Sequence, residues 1–202
     1  MELRQALAQV SEIHAHLNRT ETFRGYRSAT IAFTGLVGLA TAAVQTVWLP
    51  QPSERLSAYV TLWVSAAMLN VAIVGAEIWS RSVTAGMSFT RRTTIFAIGQ
   101  FLPALVTGGL LTLVIVNRAA NVGWMLPGLW ALVFGLGVFA SCQMLPRAAF
   151  VVGAWYVVAG IAALAWGQGA AALSPWIMGI AFGGGQLLTA VILRITLERT
   201  QD

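Results

Sequence analysis

The chain has 202 residues, 57% hydrophobic and only 9% charged, with a net charge of +5. Soluble domains carry roughly a quarter charged residues, so this composition excludes an ordinary water-soluble domain and calls for lipid as part of the solvent. All twelve basic residues are arginine, which excludes a retinal Schiff base or a pyridoxal aldimine, since both need a lysine amine. The single cysteine, Cys142, excludes an internal disulfide and a multi-thiolate metal site.

In chain order the first element is an arm, residues 1–28. Leu3, Ala6, Val10, Ile13 and Leu17 recur at alternating spacings of three and four, which places them on one stripe of an amphipathic helix. Gln5, Gln9, Glu12 and Arg19 lie off the stripe. Such a helix needs something to cover it. The choices are the lipid surface or the bundle itself, or else a docked cytoplasmic protein or second copy. His14 and His16 point to different faces of this helix and make a poor metal pair. Phe23, Arg24, Gly25, Tyr26 and Arg27 then lead to the membrane boundary with aromatic and basic side chains suited to headgroups.

Residues 29–202 are expected to form an all-α, polytopic bundle of six transmembrane helices with short loops, at about 29–49, 56–79, 95–116, 124–144, 148–167 and 175–197. Each run approaches the roughly 20 apolar residues that cross a hydrocarbon core of about 30 Å. Pro50 and Pro52 end the first run. Ala40, Thr41 and Ala42 offer a signal-peptidase pattern, but the apolar run continues to Leu49, and a retained helix is expected. The stretch from Ser80 to Thr94, with Arg81, Arg91 and Arg92, reads as a polar loop.

Placing alternate connections on opposite sides puts Arg4, Arg19, Arg24, Arg27, Arg81, Arg91, Arg92, Arg147, Arg194 and Arg199 on one face, against Arg55 and Arg118 on the other. By the positive-inside rule both termini are then cytoplasmic and the protein belongs in the cell (inner) membrane. Arginines in these positions report topology, not a nucleic-acid footprint. Trp48, Trp124, Trp166 and Trp176 collect at the opposite boundary, as amphipathic indoles do. An Arg-only chain rich in alanine and glycine suits a GC-rich bacterial genome.

Small residues mark packing seams where helices meet in lipid. Gly128, Gly135 and Cys142 recur every seventh residue, as do Gly153, Gly160 and Gly167, and Gly179 pairs with Gly183. The Gly183-Gly184-Gly185 run reads first as close packing and second as a broken helix at a site. Pro127, Phe134, Gly135, Gly137 and Leu145 align at one constant offset with Pro175, Phe182, Gly183, Gly185 and Leu193. Such matches arise by chance or from duplication.

No catalytic constellation can be assembled within the apolar runs, which contain no histidine and one clear carboxylate. No enzyme activity, metal or cofactor is expected. The polar residues inside the runs are therefore the candidates: Asn70, Glu77, Gln100, Gln143, Tyr156, Gln186 and Arg194, because burying them in hydrocarbon is costly. Read together they suggest a polar cluster or cavity, and a protein that binds or passes a small apolar or amphipathic solute. The alternative is a membrane-anchored regulatory or assembly subunit that engages a cytoplasmic partner through its N-terminal helix.

Overall fold

The computed structural model describes residues 28–84, 88–142, 148–167 and 169–195. The arm bearing Leu3, Ala6, Val10, Ile13 and Leu17 lies outside the described residues, as does Gln143. Helix α1 is Ser28–Trp48, α2 Leu56–Thr84, α3 Ser88–Arg118, α4 Leu126–Ser141 and α5 Ala149–Trp166. A sixth helix is composite: α6 Pro175–Met178, one π-helical turn Gly179–Gly184, and α7 Gly185–Leu193. Among the described residues there is no strand. Six helices are long and apolar enough to cross a membrane: Ser28–Trp48, Leu56–Ser80, Gly99–Arg118, Ala120–Ser141, Ala149–Trp166 and Pro175–Leu193. The fourth of these includes a 3-10 segment, Ala120–Met125, that leads into α4.

One expectation is corrected. The Ser80–Thr94 stretch is not a single loop, because α2 continues to Thr84 and α3 already begins at Ser88. A helix satisfies its own backbone and can carry arginine and serine past the hydrocarbon edge, so hydrophilicity ends the apolar span without ending the helix. The break at Pro50 and Pro52 is where it was read, α1 ending at Trp48. Pro127 and Pro175 each occupy the first turn of a helix, where the missing N–H costs nothing. Pro103 lies inside α3, where Thr107 Oγ1 donates to its carbonyl at 2.8 Å.

The helices form a ring in the order α2, α1, sixth helix, α5, α4 and α3, closing only weakly between α3 and α2. Glycine sets the closest crossings. A Cβ on Gly160 would lie 2.8 Å from the Gly128 carbonyl oxygen, and one on Gly135 would lie 3.1 Å from that of Gly153. The α4–α5 seam read from the seven-residue glycine spacing is therefore a backbone-to-backbone contact. The α1 crossing is equally close, since a Cβ on Gly35 would sit 3.0 Å from the Gly183 carbonyl. Of each helix's apolar window, 39% is buried in the first, fourth and sixth, but 11% in the second and 6% in the third. The core thus sits among α1, α4, α5 and the sixth helix, while α2 and α3 turn long aliphatic faces outward.

The centre of the ring is aromatic. Phe134 on α4 packs against Phe101 at 5.0 Å, Tyr156 at 4.6 Å and Phe182 at 5.5 Å between ring centroids. Edge and tilted arrangements of this kind favour the ring quadrupoles and fill volume without polar atoms.

Candidate functional site

The polar residues singled out from the sequence occupy separate places. Asn70 is half-buried and its Nδ2 donates to the Thr34 carbonyl at 3.4 Å, while its Oδ1 is buried without a hydrogen-bond partner. Glu77 is half-buried, and Ser80 Oγ donates to its backbone carbonyl at 2.9 Å. Gln100 and Arg194 are exposed, and Gln186 is half-buried. Tyr156 is completely buried, its hydroxyl without a partner and lodged against Gly185, where a Cβ would stand 2.7 Å away. Tyr156 belongs to the aromatic centre with Phe134 and Phe182.

The best-formed polar cluster lies instead near the end of the bundle that carries connections 49–55, 119–125 and 167–174, called distal here. Gln45 is completely buried there. Its Oε1 accepts from Trp63 Nε1 at 2.8 Å, and its Nε2 donates to the Leu173 carbonyl at 2.8 Å. One amide thereby ties α1 to α2 and to the last connection. Beside it Tyr59 stacks on Trp130 at 6.3 Å with an interplanar angle of 3°, and Trp130 Nε1 donates to Thr112 Oγ1 at 2.8 Å. Gln45, Trp63 and Trp130 were visible in the apolar runs, but their partners come from distant parts of the chain and no spacing joins them. The amide and the two indole N–H groups are satisfied, while the buried Tyr59 hydroxyl beside them has no hydrogen-bond partner among the described residues.

Among the described residues an open cleft of about 330 Å³ lies between α5 and the sixth helix at the distal end. Ala159, Ala162, Ala163 and Trp166 form one wall, and Trp176, Ile177, Ile180 and Ala181 the other, with Gly167 and Ala171 at the top. Its volume falls at the lower end of the roughly 300–1,000 Å³ typical of small-molecule sites. The alanines leave the slot, because methyl groups at i, i+3 and i+4 present a flat helix face. Trp166 and Trp176 at its mouth are 82% and 51% exposed. The described polar candidates Asn70, Glu77, Gln100, Tyr156, Gln186 and Arg194 are not among its lining residues.

The chemistry available is narrow. Among the described residues the lining offers no carboxylate, imidazole, thiol or charged nitrogen, so these residues select by shape, by apolar contact and through the indole N–H groups of Trp166 and Trp176. Among the described residues no group of histidine, cysteine or carboxylate side chains could hold a metal ion. Comparison with protein-family models, curated proteins and solved structures finds no match to this chain.

Proposed function

We propose that this is a non-enzymatic integral membrane protein that binds the alkyl chain of an amphipathic molecule in the cleft between α5 and the sixth helix. One observation carries the reading: the described residues that line the cleft are alanine, glycine, isoleucine and tryptophan, and two exposed indoles frame its mouth. An indole at a helix end suits the level of lipid headgroups, with an apolar ring below and an N–H donor above. A molecule with a polar head at Trp166 and Trp176 and a chain in the slot matches that gradient. The arginine distribution supports placing both termini in the cytoplasm, with the cleft mouth at the outer boundary.

The test is photolabelling of the full chain in lipid nanodiscs with a diazirine-bearing palmitic acid, with adducts mapped by peptide. Adducts are expected on the segments 159–166 and 176–181. Ala163→Phe, which places a ring in the middle of the slot, should remove most of them without unfolding the protein. Adducts spread evenly over the outward faces of α2 and α3, or unchanged by Ala163→Phe, would refute the proposal.

A further inference from the structure

One side chain spans from α5 to the sixth helix just beyond the deep end of the cleft. The cleft's two walls stop at the same depth: Ala159 is the deepest lining residue on α5 and Ala181 the deepest on the sixth helix. Trp155 stands one turn beyond Ala159 on the same α5 face, since positions 155, 159, 162, 163 and 166 follow the helical repeat. Its indole N–H crosses to the sixth helix and donates to the Ala181 carbonyl at 3.0 Å. Its ring lies over Gly184, where a Cβ would come 3.2 Å from Cζ2. The ring therefore bridges both walls at the level where the open space ends.

The local backbone explains why the bar sits there. Ala181 and Gly184 both belong to the π-helical turn Gly179–Gly184. A π turn widens the helix and aims a carbonyl outward, and such turns recur at functional sites. The Ala181 carbonyl accepts both the Gly185 N–H and the indole N–H. Glycine at 184 leaves space for the ring to lie flat. Trp155 is itself 37% exposed.

We infer that Trp155 is a specificity-determining residue: its indole, anchored on the Ala181 carbonyl, stops the cleft and sets the length of alkyl chain that fits. This rests on the alkyl-chain reading of the cleft. From Trp166 to Ala159 the slot runs roughly 10 Å along α5, and removing the indole would open about 5 Å more, one helical turn. Each further methylene buried gains about fourfold in affinity.

The experiment is competition of saturated fatty acids, from octanoate to stearate, against the same diazirine probe in nanodiscs. Wild type, Trp155→Ala and Ala159→Phe are compared, with thermal unfolding of each measured in parallel. The preferred chain should lengthen in Trp155→Ala and shorten in Ala159→Phe, while Trp155→Phe, which keeps a ring in place, stays close to wild type. An unchanged preference in folded Trp155→Ala and Ala159→Phe, with the cleft still labelled, would overturn the inference. If Trp155→Ala does not fold, Trp155→Leu and Ala159→Phe decide it on the same criterion. Absence of cleft labelling in the wild type would instead remove the alkyl-chain reading itself, so the two failures are distinct.

Discussion

Replacing Gln45 by leucine isolates the tie that joins three parts of the distal end. Leucine matches the glutamine stem in volume but makes neither hydrogen bond. Trp63 Nε1–H and the Leu173 carbonyl, on residues 5% and 2% exposed, would both lose the partner they have at 2.8 Å. In a soluble interior each orphaned group costs about 1–3 kcal/mol. Between membrane helices measured couplings are smaller, averaging about 0.6 and reaching about 1.7 kcal/mol, because the unfolded chain in lipid also finds partners. Gln45 makes two bonds, one of them to a connecting segment, so the expected loss is about 1–3 kcal/mol. Equilibrium unfolding in mixed micelles, followed by tryptophan emission, measures it. Trp63→Phe should cost less alone and should add little on top of Gln45→Leu, since the two residues share one bond. A Gln45→Leu protein within about 0.5 kcal/mol of wild type, the scatter of ordinary surface changes, would refute the reasoning.

Two glycines of opposite surroundings make a second comparison. Gly160→Ala places a Cβ 2.8 Å from the Gly128 carbonyl and should destabilise by about 1–3 kcal/mol. Gly109→Ala meets nothing within 4 Å and should be neutral or stabilise by up to about 1 kcal/mol; unfolding in the same micelles separates them. Tyr156→Phe removes a buried hydroxyl that has no partner and should leave stability equal or higher, with unchanged labelling of the cleft. A loss above about 1 kcal/mol would show that the hydroxyl is bonded in the folded protein.

The helices were legible because length and hydropathy are properties of a segment alone. The expected spans at 29–49, 56–79 and 148–167 meet Ser28–Trp48, Leu56–Ser80 and Ala149–Trp166 nearly end to end. The α4–α5 seam was also legible, because glycine spacing records close approach directly. Which face of each helix points inward was not. When both the core and the surroundings are apolar, sequence shows no contrast between faces, so Leu102 and Leu110 on the outside read like Leu126 in the core. For the same reason the sequence did not show which of the polar residues are buried. Gln100 and Arg194 are exposed and lie at the edges of the apolar spans Gly99–Arg118 and Pro175–Leu193, where polarity costs little, whereas Gln45 is buried and met by partners far along the chain. The cleft is made by what is missing, the side chains that Ala159, Ala162 and Ala163 lack, and alanine in an apolar helix carries no mark of the space beside it.

The most direct measurement is a crystal structure of the full chain grown from a lipidic mesophase. The account predicts all six apolar helices across the lipid layer, with a rod of density between Ala159–Ala163 and Ile177–Ala181 that ends on the Trp155 ring. Side chains packed shut across that slot, or a rod running past Trp155 toward the bundle's other end, would contradict it.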